Sequence, residues 1–204
     1  MHLFLVRHGE TDHNRDHLVL GRADVPLNDT GRRQAEALAR ALAGEQIAAV
    51  YCSPLQRTRL TAAPIAEAHG LEIVTDDALI EMDIGELDGL TFAELREKVP
   101  GWLERWQTAE GPQHAMPGGE RLIDVRDRAW AALTAIAERH DGQGVCLVTH
   151  NFVILSLLTQ VMGLELANFR RLRHSLAAIT RIDWRAGRPR VASLNDTCHL
   201  EGIT

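Results

Sequence analysis

Three short apolar runs, each broken off by a switch to polar residues, frame the chain. Residues 3–6, 48–52 and 145–149 show almost no polar alternation. Runs of that kind read as strands buried on both faces, the pattern of a parallel sheet. Between them the period becomes helical. Ala35, Leu38, Ala39 and Leu42 fall on one face, with Arg32, Arg33, Glu36 and Arg40 mostly opposite, so a helix is predicted over 30–43. Another helix opens after Ser53-Pro54. Leu122, Val125, Ala129, Ala132, Leu133 and Ile136 recur at helical spacing within a long helix over 120–140, and a Leu- and Val-rich helix follows the third run to about Met162.

The remaining segments fill in the frame. Residues 15–29, punctuated by Pro26, read as loop, and 72–75 as a short strand. Residues 79–89 form an acidic loop containing Glu81, Asp83, Glu86 and Asp88. Residues 91–120 read as short helices and loop, with a turn at Pro117-Gly118-Gly119. Two closing strands are predicted over 177–184 and 190–194, around an Arg-Ala-Gly-Arg turn. Strands alternating with helices predict an α/β fold: a three-layer sandwich whose mostly parallel central sheet is flanked by helices, joined by right-handed crossovers.

Composition narrows the function. Of 204 residues, 45% are hydrophobic and 25% charged, which is ordinary for a globular chain with a real core. No apolar run approaches the ~20 residues of a membrane span, and no secretory signal pattern opens the chain. Cys52, Cys146 and Cys198 are odd in number and far apart, and two lie in apolar runs. Buried free thiols in a cytoplasmic protein are therefore expected. A net charge of −6 argues against a general nucleic-acid binder. With no repeat and no Pro- or Ser-rich linker, one domain over 1–204 is the simplest organisation.

The candidate chemistry sits where the apolar runs stop. The first ends at Arg7-His8-Gly9, the second at Ser53-Pro54-Leu55-Gln56-Arg57-Thr58, the third at Thr149-His150-Asn151. In an open α/β sheet, ligands bind outside the carboxyl ends of the strands. If these strands are parallel, two histidines and two arginines meet in one crevice, within reach of Glu81 on its loop. Arg57 falls in the first turn of a helix, where a cation is unfavourable, so anion binding explains it better than local structure does. Arginine forks match phosphate geometry and keep their charge. Nearby cations hold a histidine neutral, hence nucleophilic. The four acids of 79–89 also allow a divalent-cation site.

The string Arg-His-Gly-Glu-Thr with Asn14 following resembles the signature of the histidine phosphatase superfamily, the phosphoglycerate mutase-like proteins. Ser-Pro-Leu-x-Arg-Thr and the ending Asn-Asp-Thr-Cys-His-Leu resemble the small phosphatases of that family, and the resemblance runs nearly the full chain. It implies the phosphoglycerate mutase-like fold and a phosphohistidine on His8. It implies that Arg7, Asn14, Arg57, His150 and the Asn151 backbone hold the phosphoryl group, and that Glu81 donates the proton. Many family members carry glycine where this chain has Asn151. The resemblance implies no cofactor and no metal. The expected partner is a small phosphate ester: phosphoserine, a phosphoglycerate, α-ribazole phosphate or a broad set. A homodimer is allowed, and neither nucleic acid nor membrane is expected. Residues 82–120 are expected to roof the pocket, with Trp102, Arg105, Trp106, His114 or Met116 towards it. Gly21, Arg105 and His199 are further candidate substrate contacts.

Three rival functions are weighed. Family mutases carry adjacent arginines in an insertion, whereas here Arg32–Arg33 and Arg170–Arg171 both lie outside 81–150, which favours hydrolysis. A metal hydrolase lacks a His-Glu-x-x-His spacing. A catalytically inactive phosphate-binding module conflicts with the full set of chemical residues.

Overall fold

Alternation within the apolar runs divides the core. The computed structural model describes residues 1–203. Strand β1 (His2–Arg7) turns Leu3 and Leu5 to one face and Phe4 and Val6 to the other, and all four are buried. Two-sided burial requires a helical layer on each face. The elements after β1 are α1 (Asp12–Arg15), α2 (Asp29–Leu42), β2 (Ile47–Cys52), α3 (Gln56–His69) and β3 (Ile73–Thr75). Then come α4 (Phe92–Lys98), α5 (Pro100–Trp106), α6 (Leu122–Arg139), β4 (Gly144–Thr149), α7 (Asn151–Val161), β5 (Ile179–Arg185) and β6 (Arg188–Asp196), with short 3-10 turns between several of them.

The sheet order is β3-β2-β4-β1-β5-β6. The first four strands in that order run parallel, and β5 and β6 add antiparallel at one side. Leu38 and Leu42 of α2 and Ala62 and Ile65 of α3 pack against Phe4, Val6, Cys146 and Val148. Leu122, Val125 and Leu133 of α6 and Val153 and Leu157 of α7 pack on the opposite face, with Leu3, Leu5, Val145 and Leu147. The expected α/β sandwich with a mostly parallel sheet is thus the observed one. No helix of the described residues is long and apolar enough to cross a membrane.

Register then positions the chemistry. Arg7 pairs with Thr149, and Cys52 with Val148. The ladder runs one step further: the His8 N–H donates to the Thr149 carbonyl (3.0 Å) and the Ser53 N–H to the Val148 carbonyl (3.2 Å). The three strands therefore finish level, with His8, Ser53 and His150 just beyond.

Several boundaries differ from expectation, each for a local reason. Helix α2 starts at Asp29 because the Asn28 side chain caps it, accepting from the Gly31 N–H at 2.8 Å. Helix α6 starts at Leu122, since Glu120 is engaged with Arg22 and Arg128. Strand β5 starts at Ile179 because Ala177 (φ 52°) turns aside and donates its N–H to the His8 carbonyl at 3.2 Å. The β5–β6 turn is Ala186-Gly187, both at positive φ, a twist that suits a two-residue hairpin. Gly9 ends the first run without a left-handed backbone; its missing side chain instead admits Gly31, whose carbonyl oxygen lies 2.7 Å from where a Cβ would stand.

Cys52 and Cys146 are buried and free, and burial pushes both thiols up to about 12, while Cys198 is exposed. In the 82–120 segment, Met82, Ile84, Leu87, Leu95, Trp106 and Met116 are buried in the cluster formed with α6 and α7. Trp106 and Met116 therefore serve the core, not the pocket face.

Candidate active site

His8 has one ring face of its chemistry fixed by its own chain. Its Nδ1 lies 2.8 Å from the Gly9 carbonyl. A carbonyl can only accept, so Nδ1 carries the hydrogen and the neutral ring keeps its lone pair on Nε2. Burial first, then the charges of Arg57 and Arg7, hold this imidazole well below its ordinary pKa, against a smaller opposing pull from the Gly9 carbonyl. The ring is thus neutral at pH 7 and presents Nε2 as a nucleophile.

The arginines on either side are held by backbone carbonyls. Arg7 donates from Nη1 to the His174 carbonyl (2.7 Å). Arg57, fully buried in the first turn of α3, donates from Nη1 to the Ala23 carbonyl (2.8 Å) and from Nη2 to the Gly21 carbonyl (2.6 Å). Neither guanidinium is exhausted. The Nε of Arg7 and the Nε of Arg57 are buried without a hydrogen-bond partner. Burial lowers the Arg7 pKa to about 10, opposed by Glu81 and reinforced by Arg57, so the cation persists at pH 7.

His150 completes the cluster. Its ring centroid lies 5.2 Å from that of His8. Its Nε2 is 2.8 Å from the Ser53 Oγ, which also accepts from the Leu55 N–H at 3.4 Å. Among the described residues the serine hydroxyl has no other acceptor, so its hydrogen goes to Nε2 and the ring hydrogen to Nδ1. That Nδ1 is buried with no partner in the protein. Burial first, then Arg57, His8, Arg7 and Arg128, keep this ring neutral too. Among the described residues, five buried side-chain polar atoms lack partners, and three of them belong to Arg7, Arg57 and His150. Orphaned buried donors cost about 1–3 kcal/mol each. Three such donors gathered at one sheet edge are suited to binding an anion.

Glu81 is the carboxyl group coupled to both arginines. It is almost fully buried. Its Oε1 accepts from the Met82 N–H (2.8 Å), and its Oε2 from the Phe152 N–H (3.3 Å). Burial raises its pKa, against the opposing pull of the Met82 N–H, Arg57, the Phe152 N–H and Arg7. Its backbone is clamped: the Glu81 carbonyl accepts from Arg22 Nε and from Arg128 Nη2, both at 3.2 Å. Glu120 ties those two arginines together, at 3.0 Å from Arg22 and 3.1 Å from Arg128. Two other acids of the loop, Asp83 and Asp88, have structural partners. Asp83 accepts from the Gly85 N–H and pairs with Arg22, and Asp88 accepts from the Gly21 and Ala23 N–H groups. Among the described residues, no three His, Cys, Asp or Glu side chains gather as metal ligands.

The remaining candidates divide. Asn14 and Asn151 line, with Arg7, a cavity of about 530 Å³. The Asn14 Oδ1 is occupied by the Thr11 N–H and hydroxyl in the capping box of α1, so Asn14 can offer only its amide hydrogens. Asn151 opens α7, next to His150. Gly21 holds Arg57 and leaves room for Ile84, whose Cγ1 would lie 2.4 Å from a Cβ there. His199 is half-buried, with Nε2 at 2.9 Å from the Ala177 carbonyl, one residue-pair away from the His8 backbone. Arg105 is exposed on α5, and no contact brings it to this cluster. Sequence reasoning assigned no role to Ser53, Arg22, Glu120 or Arg128. Only the Ser-Pro-Leu string pointed towards the first; the clamp has no sequence signal.

Known proteins share this fold. The family model of the histidine phosphatase superfamily (branch 1) matches residues 3–197. Phosphoserine phosphatase 1 of Hydrogenobacter thermophilus is 35% identical over 198 residues, 97% of this chain and 93% of that protein. The probable phosphoglycerate mutase GpmB of Salmonella choleraesuis is 35% identical over 207 residues, 98% of this chain and 95% of its own. The solved structure of Bacillus stearothermophilus YhfR superposes with a TM-score of 0.91 at 31% identity, covering 98% of both chains. With its signature residues converging at the carboxyl edge of such a sheet, this chain belongs to the histidine phosphatase superfamily, branch 1.

Proposed function

We propose that this protein is a metal-independent phosphatase that hydrolyses small phosphomonoesters through a phosphohistidine on His8. The observation that carries this reading is the His8 ring. Its Nδ1 hydrogen is fixed on the Gly9 carbonyl and its Nε2 is free, in a buried setting shared with two arginines. Those arginines repel a metal ion and attract a phosphoryl dianion.

In the first step the Nε2 lone pair attacks phosphorus, and an N–P bond forms as the ester P–O bond breaks. The Arg7 and Arg57 guanidinium groups, the His150 Nδ1–H and the Asn14 amide stabilise the equatorial oxygens. The positive charge that develops on the imidazole rests on the Gly9 carbonyl. Protonated Glu81 gives its proton to the departing alcohol oxygen. In the second step the Glu81 carboxylate takes a proton from water, whose oxygen attacks phosphorus. The N–P bond breaks, phosphate leaves, and both His8 and Glu81 return to their starting states.

Brief mixing with a labelled phosphate ester tests this. The expected outcome is acid-labile, base-stable label on the wild type and none on His8→Ala. Label on His150, or on no histidine, overturns it. One relative is named a probable phosphoglycerate mutase, so phosphate release and isomerisation of 3-phosphoglycerate are to be measured side by side. The hydrolase reading rests on the lack of an adjacent arginine pair between Glu81 and His150.

A further inference from the structure

The carboxyl of Glu81 takes its position from a backbone that charged side chains hold. A carbonyl oxygen has two lone pairs, and at Glu81 both are met by cations: Arg22 donates from Nε and Arg128 from Nη2, each at 3.2 Å. The same stretch is pinned on either side. Arg128 Nη1 donates to the Ala78 carbonyl at 2.7 Å, the Thr149 hydroxyl to the Leu79 carbonyl at 2.6 Å, and the Asp83 N–H to Glu120 Oε2 at 3.0 Å. Hydrogen bonds to charged groups are roughly twice as strong as neutral ones.

Glu120 joins the two arginines. It accepts from Arg128 Nε at 3.1 Å and Nη2 at 3.2 Å, a two-pronged pair, and from Arg22 Nη2 at 3.0 Å. The turn Pro117-Gly118-Gly119 delivers it: the Pro117 carbonyl accepts from the Glu86 N–H (3.1 Å), and the Glu120 N–H donates to the Asp83 carbonyl (2.8 Å). All three side chains are partly shielded from solvent, which limits screening by salt. Arg22 also sits between the two residues whose carbonyls hold Arg57, Gly21 and Ala23. One loop therefore ties the phosphoryl-holding arginine to the stretch that carries Glu81.

We infer that Arg22, Glu120 and Arg128 are positioning residues for the reaction, aiming the Glu81 carboxyl at the oxygen of the departing alcohol. This deepens the phosphatase reading above and rests on it. The Glu81 side chain is held by the Met82 and Phe152 N–H groups, and the first of these belongs to the next residue, so the carboxyl moves with its backbone. Chemistry tolerates little displacement: misplacement by about 1 Å can cost about 10²-fold.

The test reads the leaving group. In single-turnover phosphorylation, Arg22→Met and Arg128→Met should each lose about 10-fold to 10²-fold with an alkyl phosphate, whose alcohol needs the proton, and about twofold or less with p-nitrophenyl phosphate, whose phenolate does not. Arg22→Lys and Arg128→Lys should recover part of the loss. In a Glu81→Gln background the same Met substitutions should add about twofold or less, because the proton they aim is already gone. Equal losses with both substrates, the same loss in the Glu81→Gln background, or no loss at all overturns the inference. Arg22→Met leaves the Ala78 bond and the Arg128–Glu120 pair intact, and it carries the test where Arg128→Met fails to fold. Carbon NMR titration of labelled glutamate carboxyls, with Glu81 assigned by its absence in Glu81→Gln, gives a readout without turnover. Burial holds this carboxyl above the usual range, and the groups that face it are the Met82 and Phe152 N–H groups, Arg57 and Arg7. The Met variants leave all of these in place. A midpoint that moves down towards the usual range therefore reports a displaced, wetter carboxyl, and an unmoved midpoint overturns the positioning role. If the wild type hydrolyses neither substrate, the phosphatase reading fails, and the titration still decides whether the three residues position Glu81.

Discussion

The two edges of the sheet hold two different kinds of hollow. At the amino edge a cavity of about 680 Å³ is lined by His2, Glu45, Arg181 and Asp183, among others. Its polar groups are paired off: His2 with Asp183 at 2.9 Å, Arg181 with Glu45 at 3.5 Å and with Asp196 at 3.2 Å. At the carboxyl edge a smaller cavity, about 530 Å³, is lined by Arg7, and at that edge Arg7, Arg57 and His150 carry buried donors with no partner. Size does not separate the two. A paired charge is already stabilised and has little to gain from a ligand, whereas an orphaned donor has paid its desolvation and recovers it when an anion arrives.

The sharpest way to break this comparison is to remove the nucleophile. His8→Ala should lower turnover by about 10⁴-fold or more, the scale set by removing a covalent nucleophile. Retained turnover would place the chemistry elsewhere, the amino edge included.

Glu81→Gln comes next, keeping size and polarity while removing the proton. General acid catalysis contributes roughly 10²–10⁴-fold. A loss in that range is expected in single-turnover phosphorylation by an alkyl phosphate, and a clearly smaller one with p-nitrophenyl phosphate, whose leaving group needs no proton. Equal losses would reduce Glu81 to a partner of the arginines. The pH profile carries the same information. The phosphorylation rate should rise with pH through the depressed His8 pKa and fall through the raised Glu81 pKa, and Glu81→Gln should abolish the falling limb.

Ser53→Ala tests the tautomer of His150. Loss of one hydrogen bond to the ring should cost about tenfold in kcat. Long-range nitrogen NMR of labelled histidine should report Nδ1–H on His150 in the wild type and a mixture in the variant. Nε2–H in the wild type would reverse the assignment.

The smallest effect belongs to the amino edge. Arg181→Met removes two partly exposed ion pairs, each worth about 0–1 kcal/mol. Thermal unfolding should shift slightly, and kcat/KM should stay within about twofold. A large loss of activity there would erase the distinction between the edges.

Much of the carboxyl edge was legible before the fold. The stops at Arg7-His8, Ser53 and His150 were visible because the apolar runs 3–6, 48–52 and 145–149 end abruptly there, and burial on both faces disfavours ionisable side chains. Arg57 was legible as a cation in a helix's first turn. Arg105, proposed on residue type within the 91–120 segment, lies exposed on α5, because residue type carries no direction. Trp106 and Met116 went into the core because bulky apolar side chains find more contact beneath α6 and α7 than at a polar mouth.

By itself the sequence determined the strands, the helices that must cover both their faces, and the residues that follow each strand. These depend on local period and on nearest neighbours along the chain. Tertiary structure decided the rest. The level register of β2, β4 and β1 brought three strand ends together. Carbonyls from Gly21, Ala23 and His174 fixed the arginines, and Ser53, 97 positions from His150, fixed its tautomer. Protonation state and donor direction follow from burial and from partners remote in the chain, and the folded structure alone supplies both.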